Sequence, residues 1–382
     1  MKNKNAHIAI IAIFLLVTFG FSVLFFAMPK EDYSSSEKRY LADFPEFTLE
    51  SFVGGKFTNA LEGGENGGYI PDHFPLRSFF VGVNSYWNLL IGSTSSNGYY
   101  YADDGYIITK PSDVNNSERN LEIINKFSAS FDEVVLMVVP SAGEVLSDKL
   151  PANSVDYPDE GVYANIEKYK ADNIKFCDIR DEFRELYTST GTQLFYKTDH
   201  HWTSAGAYAA YEKLCPELGK TAVTQESLTK SSFDNFYGTT YSSSGYFLRK
   251  PDTLEIWENK AADSVKVTIV EGAEEKSYDT MYFESHLEED DMYPVFLDGN
   301  HALVTIENPK AESNETLLII KDSFAHCATP FLANNYSKIV MVDMRYYKLP
   351  VTELAAQHGV DDVLFLYGMS NFCTDTNFGY LK

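Results

Sequence analysis

Cysteine is scarce in this chain, with four among 382 residues, and Cys177, Cys215, Cys327 and Cys373 stand in neither CxxC nor metal-ligand spacing. That excludes a cysteine-built metal site and leaves the redox compartment open. Basic residues are also few: 31 Lys and Arg stand against 55 Asp and Glu, a net charge of −24. A nucleic-acid binder needs a basic face to displace counterions, so nucleic acid is excluded as a partner. The same acidity weighs against a broad docking surface for an anionic polymer and reads as a solubility feature. No internal repeat or low-complexity tract is evident, and only one apolar run is long enough to cross a bilayer. What is plentiful is core material. Hydrophobic residues make up 44% and aromatics 15%, which excludes global disorder, and the length suits one large or two modest domains.

The long apolar run is Ala6 to Met28, interrupted by His7, Thr18, Gly20 and Ser22. At about 1.5 Å per residue it reaches about 34 Å, enough to span a membrane. Lys2 and Lys4 precede it, which predicts a cytoplasmic N-terminus and a body outside. A cleaved signal peptide would have a shorter apolar region and an A-x-A-like site, whereas the exit reads Phe25-Phe26-Ala27-Met28-Pro29. The pattern therefore favours an uncleaved anchor over residues 1–29, and both readings put the body outside. Residues 30–48, polar with two prolines, read as a tether.

From there to residue 382 the pattern predicts one α/β body. A helical pattern covers Leu49–Leu61, then a glycine-rich break, then the segment Asp72-His73-Phe74-Pro75-Leu76-Arg77 and a second helix toward Leu90. Tyr99–Ile108 reads as two short strands around an Asp-Asp-Gly turn, and Ser117–Phe131 as an amphipathic helix. The runs at Glu133–Val139, Thr316–Ile320, Lys338–Val342 and Asp362–Leu366 are continuously apolar and β-branched, as strands buried on both faces are. Helical stretches at Ala325–Asn334 and Thr352–His358 separate the last three. Strand–helix alternation predicts a parallel sheet with right-handed crossovers. Residues 252–306 alternate in short segments instead, which predicts a β-rich insertion, such as a hairpin layer.

Chemistry concentrates in Tyr196-Lys197-Thr198-Asp199-His200-His201-Trp202-Thr203, just before a helix that Thr203 or Ser204 can cap. In an extended turn, Asp199 and His201 share a side, so the carboxylate can orient the imidazole and stabilise its cation. The alternative is structural, with Asp199 as turn acceptor and the ring and Trp202 in the core. A second cluster is Ile319-Ile320-Lys321-Asp322-Ser323-Phe324-Ala325, where a buried strand ends and a Ser sits on the turn into a helix. That is the layout of a nucleophile elbow, with helix-start N–H groups facing a developing oxyanion. The bland alternative is that Asp322 or Ser323 caps the helix. Neighbouring strand ends offer Arg345, for a substrate anion or hydroxyl, and Asn371, as an oxyanion donor; loop bracing suits either equally. In an extended chain His200 and His201 point apart, which argues against a shared metal clamp. Cys327 and Cys373 flank the site and could pair, though two free thiols suit the pattern better.

Thr198-Asp199-His200-His201-Trp202 resembles the signature of the DHHW protein family, which is similar in turn to the periplasmic alginate O-acetyltransferases with their SGNH-hydrolase-like domain. The resemblance extends over Glu37-Lys38-Arg39-Tyr40-Leu41, Asp72–Arg77, the Lys321–Ala325 elbow, the Arg345 segment and the last strand. It implies an α/β SGNH-hydrolase-like fold, circularly permuted because the D-x-H pair precedes the Ser. It also implies a triad of Asp199 to orient, His201 as base and Ser323 as nucleophile, with no cofactor or metal. Substrate or oxyanion contacts would come from Arg345, Asn371, Tyr367 and Lys321. Two departures weaken the oxyanion hole: Lys321 replaces the usual Gly, and Gly368-Met369-Ser370-Asn371 matches a G-x-N-D block only approximately. The implied function is extracytoplasmic O-acyl transfer, most simply O-acetylation, to a cell-surface polysaccharide, with a multi-spanning membrane protein exporting the acyl group. Alternatives are an esterase or deacetylase of the same glycans, a non-catalytic surface assembly protein on that scaffold, and a metal-dependent hydrolase. No appended carbohydrate-binding module is expected after the sheet.

Overall fold

In this computed structural model the described residues are 2–34, 39–63, 67–259, 264–272 and 274–381. Glu37 and Lys38 of the motif above lie outside them, as does part of the 30–48 tether. Contacts separate the chain into one unit of residues 1–97 with 242–247 and a second of 98–241 with 248–382. Residues 49–97, expected to belong with the body, thus group with the N-terminal segment.

In the first unit α1 (Lys2–Ala27) is apolar, unburied and long enough to cross a membrane. The single helix expected at 49–61 is two: α2 (Leu49–Val53) and α3 (Lys56–Glu62). Thr48 caps α2 in a reciprocal box with Ser51, and the chain breaks where Gly55 takes φ 76°, a left-handed conformation that glycine adopts without Cβ strain. The Asp72–Arg77 segment ties the exit of α1 together. Asp72 accepts the Ala42 N–H at 2.9 Å, and His73 Nε2 lies 3.1 Å from the Glu31 carbonyl. The helices α4 (Tyr69–Asp72) and α5 (Arg77–Leu90) flank it.

The second unit is built on a mixed sheet. Its strands in chain order are β1 (Val134–Val139), β2 (Ile174–Phe176), β3 (Lys266–Glu271), β4 (Glu274–Tyr278), β5 (Leu303–Glu307), β6 (Ser313–Lys321), β7 (Tyr336–Val342) and β8 (Asp362–Gly368). Their spatial order is β4-β3-β5-β7-β6-β8-β1-β2. The pairs from β7 through β2 are parallel, as the apolar runs predict, because their helices return over both faces. Leu317, Ile319 and Leu364 face a core containing Trp202, α7 (Ser204–Glu217) and α8 (Phe324–Leu332). Leu318, Ile320 and Phe365 face the other core, with α6 (Ser117–Ser128) and α9 (Val351–His358).

The stretch 252–306 does not make a separate layer. Its strands extend the central sheet, β5 antiparallel to β7 and β3 antiparallel to β5, while Asp252–Glu258 pairs apart with Thr229–Phe236. The reason lies in the burial pattern: β3 and β5 bury alternate residues, Val267 and Ile269 opposite Ile306 and Val304. The outer strand β4 is charged and exposed, which blunts the sheet edge.

Candidate active site

The Asp-His-His run is a tight loop rather than an extended segment. Phe195 bridges Trp202, with the Tyr196 N–H donating to the His201 carbonyl at 3.1 Å, so the chain reverses between them. Buried Asp252 holds the first leg by accepting the Lys197 N–H, the Thr198 N–H at 2.7 Å and the Thr198 hydroxyl at 2.6 Å. Asp199 then folds back to accept the His201 N–H at 2.9 Å and faces Nδ1 of the same residue at 2.5 Å. The two side chains meet through this turn, and Thr203 caps α7 behind them by accepting from the Gly206 N–H.

Ser323 stands at the end of β6, on the opening turn of α8, and its side chain caps nothing. Asp322 does the capping: one oxygen accepts the Phe324 N–H at 2.9 Å and the other the Gly368 N–H at 2.8 Å. Freed from that task, Ser323 Oγ sits 2.7 Å from His201 Nε2. A hydroxyl, an imidazole and a buried carboxylate are thus in line, with Ser323 8%, His201 5% and Asp199 3% exposed.

Three residues in this array carry no legible signal in the sequence. Tyr293 stacks on His201 with ring centroids 3.7 Å apart and an interplanar angle of 4°, and its hydroxyl donates to the Ser323 carbonyl. Thr239 gives both its N–H and its hydroxyl to Asp199 Oδ2, each at 2.8 Å. Gly238 leaves room for the carboxylate, since a Cβ there would lie 2.2 Å from Asp199 Cβ.

His200 does not point away from His201. Because the loop turns, their rings lie 3.8 Å apart, and His200 Nδ1 is 2.6 Å from Thr239 Oγ1. The Thr239 proton goes to Asp199, which cannot donate, so His200 carries its proton on Nδ1 and Thr239 relays the contact. Asp199, His200 and His201 also place ligand atoms within 4.8 Å of one another, as a metal site requires. Yet both Asp199 oxygens and both His201 nitrogens already hold hydrogen-bond partners, which an ion would have to displace.

Of the remaining expected contacts, Asn371 reaches the cavity, and Arg345 and Lys321 are engaged by partners of their own. Arg345 is clasped bidentately by Asp343, at 2.9 and 2.6 Å, and reaches Asn300. Lys321 is buried behind the elbow, 2.6 Å from His326 Nε2 and 3.2 Å from Asp343. Tyr367 points to the opposite face of the sheet, against Phe378. Strand alternation accounts for that, because Tyr367 shares its face with Phe365, two residues back, and not with Leu366. Asn371 donates to Asp322 at 2.8 Å and borders the cavity, so it braces the elbow while keeping its second amide N–H. Cys327 and Cys373 lie in the cores on opposite faces, and all four cysteines are free.

Residues flanking the array, among them Asp199, His200, Thr239, Phe324, Gly368 and Asn371, line a cavity of about 270 Å³. Burial would raise the Asp199 carboxyl, but the facing His201 and His200 and the hydrogen bonds from His201 and Thr239 outweigh it and hold the group well below the usual carboxylate range. Burial, then the nearby His201 charge, pushes His200 down to about 4, and burial with Lys321 pushes His326 well below the ordinary histidine value. Both rings take up protons more readily in the unfolded chain, so their contribution to folding stability rises with pH through the interval between about 4 and 6.5, while the buried Asp159 carboxyl, raised to about 6, contributes with the opposite sign. Thermal melts should therefore show the midpoint of His200→Ala gaining on that of the wild-type protein as the pH is lowered across that interval. Equal slopes in the two proteins would show that His200 is not among the groups responsible.

These observations define a mixed α/β protein with a Ser–His–Asp array at the carboxyl end of a parallel strand. The sequence model of the DHHW protein family matches residues 93–342, and the chain belongs to that family. A DHHW family protein from Eubacterium siraeum is 21% identical, with a TM-score of 0.64 over 75% of this chain and 95% of that one. Bacillus cereus PatB1 with a sulfonyl adduct is also 21% identical, with a TM-score of 0.63 over 73% of this chain and 97% of its own. The O-acetyltransferase domain of Pseudomonas putida AlgJ lies further off, at 13% identity and a TM-score of 0.46 over 75% and 95%. No curated protein matches the chain.

Proposed function

We propose that this protein is an extracytoplasmic O-acyltransferase working through a Ser323 acyl-enzyme, with a surface polysaccharide hydroxyl as acceptor. The carrying observation is the hydroxyl–imidazole–carboxylate line at 2.7 and 2.5 Å beside a cavity. As Ser323 Oγ attacks the acyl carbonyl, its proton passes to His201 Nε2, since Asp199 keeps the other proton on Nδ1. Collapse of the tetrahedral adduct releases the donor, which takes the proton from Nε2. A sugar hydroxyl then gives its proton to the same nitrogen and attacks the ester, and Ser323 regains its proton from Nε2 as it departs. The first N–H groups of α8 already donate to Asp322 and Ser323, so the second N–H of Asn371 is the donor offered to the developing oxyanion. The Ser follows the D-x-H pair in the chain, consistent with a circular permutation of the SGNH order.

The sugar acceptor is supported by the resemblance to polysaccharide acetyltransferases, and by the span that α1 supplies as an anchor. Outside a membrane, soluble acyl-coenzyme A is absent, so a multi-spanning export partner is implied. The test compares ester-linked acetyl on surface glycans of wild-type and Ser323→Ala cells, with less expected in the mutant. More acetyl in the mutant would make the enzyme a deacetylase, and no difference would favour a non-catalytic role. Transfer by the purified protein should also survive EDTA unchanged, because the triad atoms are satisfied by one another; loss of turnover on chelation, restored by zinc, would install the metal-dependent reading instead.

A further inference from the structure

The surface of the N-terminal unit is apolar where a water-facing surface would be polar. Among the described residues from 30 to 91, fifteen large hydrophobic side chains are exposed, whereas the far longer stretch from 92 to the C-terminus has seven. That density exceeds the scattered exposure normal for a soluble surface.

The pattern is sharpest on α5. Phe79, Phe80, Val83, Trp87, Leu90 and the capping Ile91 recur at helical spacing and are 39–76% exposed. The buried residues are Gly82 and Ser85. Ser85 donates to the Ser244 carbonyl at 2.8 Å, and a Cβ on Gly82 would lie 2.9 Å from the Phe247 ring. The small-residue face is therefore the packed one, and the apolar stripe faces outward. A helix on a water-facing surface does the reverse.

What covers the stripe follows from its continuity with α1. Phe21 stacks on Phe74 at 5.4 Å and meets Phe80 at 5.6 Å, while Phe25 meets Tyr69 at 6.1 Å. Phe21 lies about 9 Å along the axis from the end of α1 at about 1.5 Å per residue. The part of α1 able to span, Lys4–Ala27, runs 24 residues, about 36 Å against about 30 Å of hydrocarbon, which leaves about 3 Å over at each end. Phe21, and the Phe74 and Phe80 rings against it, then lie about 6 Å inside the hydrocarbon boundary, within the depth of about 5–10 Å at which interfacial helices bury their apolar faces. The charge pattern agrees, for α5 has one charged residue, Arg77, at its first position, and Trp87 is of the type that collects at membrane interfaces.

We propose that α5 lies in the bilayer interface on the side where α1 ends, with its Phe79-to-Ile91 stripe among the lipid acyl chains. This takes α1 as inserted and is independent of the acyl-transfer reading.

Tryptophan fluorescence tests it on the full chain in phosphatidylcholine vesicles. The chain has three tryptophans, of which Trp202 and Trp257 are 0% and 5% exposed, so Trp87 is the one that external quenchers reach. The protein should float with the vesicles, lipids brominated at shallow acyl carbons should quench part of its emission, and aqueous iodide should not. Trp87→Phe should remove the lipid-quenched component while leaving the rest. A protein that floats while iodide, rather than bromolipid, quenches Trp87 would place α5 in water and overturn the proposal with the anchor intact. Protection from both quenchers would mean that protein, such as a second copy, covers the stripe, and overturns it equally. Failure to float would remove its premise.

Discussion

Ser323→Ala should leave no covalent acyl-enzyme when the purified protein is incubated with an activated acetyl ester and the intact mass is read. The free hydroxyl is a weak nucleophile, and here its activating contact is His201 Nε2 at 2.7 Å. His201→Ala should slow the acylation by several orders of magnitude for the same reason. Members of a triad act as a unit, so the double mutant should be scarcely worse than either single one. His200→Ala should be milder, because its ring holds no hydrogen bond to Ser323 or Asp199 and lies 3.7 Å from the Asp199 carboxylate, with Thr239 donating to that carboxylate between them. Should His200→Ala prove the more damaging of the two histidine changes, the base has been misassigned. Persistence of the mass adduct in Ser323→Ala would place the nucleophile elsewhere.

The second large effect is expected at Asp199. Asp199→Asn keeps the shape of the side chain but can present an amide N–H to Nδ1, which drives the imidazole proton to Nε2, where it opposes the Ser323 hydroxyl. A loss of about 10⁴-fold in turnover follows from a wrong tautomer of this kind. Gly238→Ala should fall in the same direction by a different route, since its Cβ would collide with Asp199 Cβ at 2.2 Å. The measurement is the steady-state rate with the activated ester across pH, beside a thermal melt. A folded Asp199→Asn protein with wild-type turnover would mean that the carboxylate only braces the loop.

How much of this was legible depended on the range over which each contact acts. Asp199 and His201 are two residues apart, and Ser323 follows a buried strand directly, so spacing and pattern pointed to them. Tyr293, Thr239 and Gly238 reach the site from other parts of the chain, and no periodicity announces a ring that will stack on an imidazole. Local pattern also misled. His200 and His201 alternate only in an extended chain, and the bridge between Phe195 and Trp202 turns the backbone instead. Arg345 looked free at a strand end, but two residues back Asp343 lies within reach and clasps it.

The sequence by itself determined the apolar N-terminal helix, the parallel strands and the Asp-His-His and Asp-Ser segments, because hydrophobic period and turn chemistry act over a few residues. Only the tertiary structure decided that Ser323 meets His201 and that Asp322 rather than Ser323 caps α8. It likewise decided that Lys321 and Tyr367 lie away from the cavity. Those outcomes depend on which strand neighbours which and on which face each residue takes, and both are settled by packing across the whole sheet.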